Sequence, residues 1–156
     1  VGEDDFQILE ASLVFAELGL TMEAMGLLQV LCVDAVPEEQ RSPLPLYYMA
    51  YYRSQWGSVP GGWIYRRQAA GINKDFVFPS RPETIEVLRY AARSSLKDAH
   101  AHLHLGNLYA HLGRVDEAVG HWRKAVDIDS SLSVAFRNLG LHDWAAEENL
   151  EKAERL

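Results

Sequence analysis

Asp98–Ser131 reads DAHAHLHLGNLYAHLGRVDEAVGHWRKAVDIDSS, and this stretch decides the fold. Leu103, Leu105, Leu108, Tyr109 and Leu112 recur at helical spacing. Gly113 follows, where a left-handed residue ends a helix. Asp116 and Glu117 then fall in the first turn of a second helix, where the helix dipole favours acids. The unit is helix, short turn, helix.

The order Leu105-Gly106, Tyr109, Gly113, Ala118, Trp122, Ala125 resembles the tetratricopeptide repeat, a helical pair of about 34 residues. In that resemblance Gly106 and Ala118 are small because the two helices cross there at close range, and Tyr109 and Trp122 fill the space around the crossing. Ser130 stands where the family usually has proline. The period supports the resemblance: Leu105-Gly106 returns as Leu139-Gly140, 34 residues on. That later unit departs at Asp143, where an aromatic residue is expected, and the sequence ends at Leu156 within what should be its second helix.

Upstream, Phe15-Ala16-Glu17-Leu18-Gly19 with Ala24, Leu28 and Leu31 suggests an earlier unit, and Met49-Ala50, Trp56-Gly57, Trp63 and Ala69 another. The prolines and most glycines gather between the periodic stretches, where helices stop. Gly57 and Gly113 are 56 residues apart, more than one repeat. Pro82 to Ser95 supplies the extra helix, with an irregular lead-in from Gly71 to Pro79. Phe76-Val77-Phe78 is the only strand-like segment and reads as an extended connector. The expected fold is therefore all-α: a right-handed superhelical array, or α-solenoid, with one irregular insertion. Its approximate units are 5–36, 43–71, a single helix at 82–96, 98–131, and a truncated 133–156.

Ser42–Tyr52, Asp75–Leu88 and the HLGNLYAHLGR run together resemble the C-terminal repeat region of certain bacterial proteins. Those proteins carry an N-terminal domain of unknown function with a sugar-mutarotase-like β-sandwich. The resemblance implies a scaffold belonging to a larger protein, one that handles carbohydrate. The first residue is Val1 rather than Met, which agrees with that expectation.

Across 156 residues, 15 Lys and Arg stand against 22 Asp and Glu, a net charge of −7. That balance argues against a general binder of nucleic acid or anionic membrane. One cysteine, Cys32, excludes an internal disulfide framework and a cysteine-rich zinc site, and it reads as a small buried hydrophobe in a cytoplasmic protein. No apolar run is long enough to span a membrane. Catalytic signatures are missing: no Gly-x-Ser-x-Gly, no phosphate-cradling glycine loop, no His-Glu-x-x-His. Neither an enzyme nor a cofactor is expected.

Stacked helix pairs present a concave face for ligands. At about 100° per residue, His100, His104, Asn107 and His111 form one polar stripe on the first helix of the Asp98 unit. By resemblance to the family this stripe faces the groove, and Val134, Arg137, Asn138 and Leu141 extend it on the next helix. Asn amides satisfy both donors and acceptors of a peptide backbone, and Arg137 suits a carboxylate. Leu103 and Val134 occupy places where a carboxylate clamp would want a cation. The bland alternative is that Asn107 and Asn138 only bridge neighbouring helices. His100 and His104, at i and i+4, have metal-chelating spacing, but no carboxylate joins them and a solvated row of histidines is the simpler reading.

Tyr47, Tyr48, Tyr51 and Tyr52 fall in two pairs, one of them expected in the core; from the other face Tyr48 or Tyr51 would stack on a ligand. Trp63-Ile64-Tyr65, after Pro60-Gly61-Gly62, is expected in an irregular exposed loop. The expected function is a non-enzymatic scaffold for a peptide, a partner protein or the parent's own N-terminal domain. The alternative is a bracing or dimerisation module, with a homodimer forming through the apolar truncated end at Leu150, Ala153 and Leu156.

Overall fold

The structure is a computed structural model describing residues 3–55, 61–72 and 77–154, with side chains from 7 to 148 within those ranges. Among the described residues eight α-helices follow one another: α1 Glu3–Glu17, α2 Thr21–Leu28, α3 Pro43–Ser54, α4 Gly62–Gly71, α5 Thr84–Ser94, α6 Ala99–His111, α7 Val115–Ile128 and α8 Ser133–Glu154. No strand occurs among the described residues. This is the all-helical array of tetratricopeptide-like pairs that the sequence predicts.

Local chemistry sets the helix ends. Ser42 accepts a hydrogen bond from the Leu44 N–H, and Pro43 starts α3 where its missing N–H costs nothing. Asp98 accepts the Ala101 N–H at 3.0 Å and caps α6. Gly19 and Gly113 adopt φ of +79° and +74°. Each closes a Schellman turn: Leu20 N–H donates to the Phe15 carbonyl at 2.9 Å, and Arg114 N–H to the Tyr109 carbonyl at 2.8 Å. The same device thus ends α1 and α6, as a repeat requires. α2 runs on into a π-helical turn, Gln29–Asp34, which buries Cys32.

α1 packs on α2, α3 on α4 and α6 on α7. α5 lies against both α3 and α6, and α7 carries α8. The tightest crossing is at Gly106, where a Cβ would stand 2.5 Å from Trp122 Cδ1 and 3.1 Å from the Ala118 carbonyl oxygen. Only hydrogen fits there.

Several expectations need correction. Trp63, Ile64 and Tyr65 are helical, within α4, although Trp63 and Ile64 are exposed. Gly62 is a contact residue rather than a helix breaker: a Cβ on it would meet the Ala50 carbonyl at 2.8 Å, so it sets the approach of α4 to α3. Residues 133–154 form one continuous helix instead of a turn and a second helix. Tyr47, Tyr48 and Tyr52 are all buried, so the tyrosines do not divide into a core pair and a groove pair. Leu103 and Val134 are core residues and line no groove. The irregular insertion is seen where it is described: 77–80 is neither helix nor strand, with Val77 buried and Phe78 exposed. Trp56, Gly57 and residues 73–76 lie outside the described residues, as do the side chains of Leu150, Ala153 and Leu156.

Candidate functional site

Asn107 sits midway along α6 and is bonded at both ends of its amide. Its Oδ1 accepts from Trp122 Nε1 at 3.0 Å and from Asn138 Nδ2 at 3.1 Å. Its Nδ2 donates to the Val77 carbonyl at 3.4 Å. Asn138 Oδ1 accepts in turn from Arg137 Nη2 at 3.1 Å. One chain of polar contacts therefore links α7, α6, α8 and the connector. The bridging role of the two asparagines is real, and their spacing between adjacent repeats produces it.

His104 lies one turn before Asn107 but is completely buried, so it is no part of an open groove wall. Its ring stands edge-on to Tyr47, with centroids 6.5 Å apart, and neither ring nitrogen makes a well-formed hydrogen bond. Burial pushes its pKa down to about 3; His100 adds to the effect, and the Val77 carbonyl opposes it. The connector covers this part of α6, which periodicity could not show. His100 is half-buried, its ring tilted against that of His104 at 6.1 Å. Among the described residues no three His, Cys, Asp or Glu side chains gather as a metal site.

Beyond the connector the concave face opens. A cavity of about 480 Å³ lies between Phe78, Asn107, Ala110 and His111 on one side and Asn138, Leu141 and His142 on the other, with Val115 and Trp122 of α7 also lining it. The floor is the linked asparagine pair. Phe78 and Leu141 are exposed apolar walls, and His111 is an exposed rim residue. Arg137 is exposed beside the cavity on α8.

The structure thus brings together Asn107, His111 and Asn138 in the cavity, with Arg137 next to it. Tyr48 and Tyr51 are elsewhere. Tyr48 is buried between α3 and α5, sharing a 2.7 Å hydrogen bond with Thr84, and burial pushes its phenol up to about 12. Tyr51 is half-buried against Tyr52 and Tyr90. Phe78, Val115 and His142 line the cavity without having been singled out in the sequence, and Trp122 was read there only as a packing residue. Phe78 looked like part of a connector, and His142 lies beyond the point where the repeat pattern lapses.

Comparison with known proteins agrees with this architecture. The tetratricopeptide repeat family model matches residues 99–132, which span α6, α7 and the turn after them. No curated protein and no solved structure matches the chain. No helix among the described residues is long and apolar enough to cross a membrane. The chain carries a tetratricopeptide repeat at residues 99–132, set within an array of similar helical pairs.

Proposed function

We propose that the protein is a non-enzymatic interaction scaffold that holds an extended peptide segment of a partner protein in the cavity between α6 and α8. The observation that carries this reading is the composition of that cavity. Its floor is an amide pair, Asn107 and Asn138, and Asn107 already holds one irregular backbone segment, donating to the Val77 carbonyl. Its walls, Phe78, Trp122 and Leu141, suit an apolar side chain, and Arg137 suits an acidic group or a C-terminal carboxylate. Binding would extend the run that Val77 and Phe78 begin.

Peptide display on a random library against the whole chain tests this. Selected peptides should bind the Asn138→Ala and Leu141→Glu variants at least about tenfold more weakly by fluorescence anisotropy, since truncated central contacts cost about 1–2 kcal/mol or more. Selection of no peptide, or undiminished binding by both variants, sinks the reading.

A second reading has its own observation. Phe136, Leu141 and Trp144 leave exposed apolar surface on α8, which has no helix after it among the described residues. That surface favours a brace for an adjacent domain, which the family resemblance would make a carbohydrate-handling β-sandwich, or a dimer contact. Sedimentation equilibrium of the parent and of Trp144→Glu separates the dimer from the peptide groove.

A further inference from the structure

A second cavity, of about 630 Å³, lies on the other side of α6. At about 100° per residue, His102 stands roughly 160° round the helix from His104. His102, Leu105 and Tyr109 form the floor of this cavity, between α5 and α7. Its walls are cationic: Arg89 and Arg93 come from α5, Arg114 from the turn that leads into α7, and Lys124 from α7. Glu117 pairs with Arg114, and Glu86 pairs with Arg89. Four cations against two carboxylates leave an excess of positive charge, in a chain whose net charge is −7.

The basic groups are organised around aromatic rings. Arg114 lies 4.6 Å above the Tyr109 ring, and Arg89 Nε donates to the Tyr109 hydroxyl at 2.9 Å. His121 stacks on Tyr109 at 5.5 Å and on His102 at 5.1 Å. The Nδ1 atoms of His102 and His121 are 2.9 Å apart, a hydrogen-bond distance between two stacked imidazoles. A like-charged ring of this kind is costly without an anion. The recess has the size of a small-molecule site. The chain's overall acidity disfavours a large polyanion, while a compact dianion needs only the local field.

We propose that this cavity binds a small organic phosphate, its phosphoryl group among Arg93, Lys124 and the His102–His121 pair and its organic part against the exposed Leu96 side chain at the mouth. A phosphate monoester carries about −1.5 to −2 charges at neutral pH, which matches the excess. Proton uptake accompanies binding. Burial first, then His102, Lys124 and Arg89, hold His121 down to about 4, with Glu117 opposing. The groups facing it are Arg89 and Arg93, with Glu86 paired to Arg89, from α5, His102 and Tyr109 from α6, Arg114 from the turn before α7, and Glu117 and Lys124 from α7. A bound dianion favours the imidazolium, so binding strengthens as pH falls from about 8 to about 6, and weakens again below that as the phosphate itself takes up a proton.

The test uses phenyl phosphate and the whole chain, with imidazole ¹H–¹⁵N NMR. Saturable shifts are expected at His102 and His121 but not at buried His104, and the His121 pKa should rise by about one unit or more on binding. The Arg93→Gln/Lys124→Gln variant changes only exposed side chains; with its melting curve unchanged it should bind about tenfold more weakly. Absence of a saturable shift, an equal response to benzyl alcohol, or full affinity in the variant overturns the proposal. Binding of a phosphotyrosine peptide without binding of phenyl phosphate overturns the small-ligand class.

Discussion

Tyr47 donates a 2.9 Å hydrogen bond to Asp98 Oδ1, 51 residues further along the chain. The same oxygen caps α6 by accepting the Ala101 N–H, and Asp98 is only 2% exposed. One carboxylate thus fastens the start of the matched repeat to α3. Tyr47→Phe should destabilise the chain by about 1–2 kcal/mol in urea denaturation, and Asp98→Ala by about 2–3 kcal/mol, because it removes both the cap and the acceptor. A double-mutant cycle should show coupling of about 1 kcal/mol. Strict additivity would mean the bond contributes nothing.

His104 makes stability depend on pH. Its folded pKa, about 3, lies below the 6.5 of an ordinary histidine. Between those values the unfolded chain binds a proton that the folded chain refuses. Stability from this group is therefore complete above the unfolded pKa and is lost as pH falls from about 6.5 towards 3. At pH 5 the loss is about 2 kcal/mol relative to pH 8. Asp98, raised by burial, works in the opposite sense over part of that range, so the comparison is between variant and parent. His104→Leu should shrink the stability difference between pH 8 and pH 5 by about 2 kcal/mol. An unchanged slope would show that His104 does not stay neutral in the fold.

Gly106→Ala should lower stability by about 1–3 kcal/mol despite alanine's better helix propensity, because its Cβ would fall 2.5 Å from Trp122 Cδ1. Adding Trp122→Leu makes room, so the double variant should be less destabilised than the sum of the two singles. Circular-dichroism melts decide this; simple addition would mean that the crossing relaxes elsewhere.

Two glycines provide a matched contrast. Gly113 has φ of +74°, and Gly113→Ala should cost about 1–2 kcal/mol from strain alone. Gly120 lies within α7 with nothing near its absent Cβ, so Gly120→Ala should stabilise by about 0.5–1 kcal/mol. The two Tm shifts should have opposite signs.

The pair α6–α7 was legible because its signals are local. Apolar spacing, the acids of the first turn of α7, and Gly113 each act within a few residues of themselves. Gly19 repeated the cue in α1. Asn107 and Asn138 were legible too, since a 34-residue offset less a few positions sets side chains on adjacent helices within reach. What periodicity cannot report is which surface covers a stripe. His100, His104, Asn107 and His111 do share a face, yet His104 is sealed and His111 is exposed.

The sequence by itself determined the all-helical class, the α6–α7 pair with its glycine turn and the small residue at the Gly106 crossing, because those depend on neighbours in the chain. Only the tertiary structure decided that Gly62 is a contact, that Tyr48 is core, and that residues 133–154 run unbroken. It alone brought the Val77 carbonyl to Asn107 and left a cavity beyond it, and it alone gathered cations from α5 and α7 behind α6. Those outcomes depend on which distant segments share a volume, and close packing settles that only when the whole chain has folded.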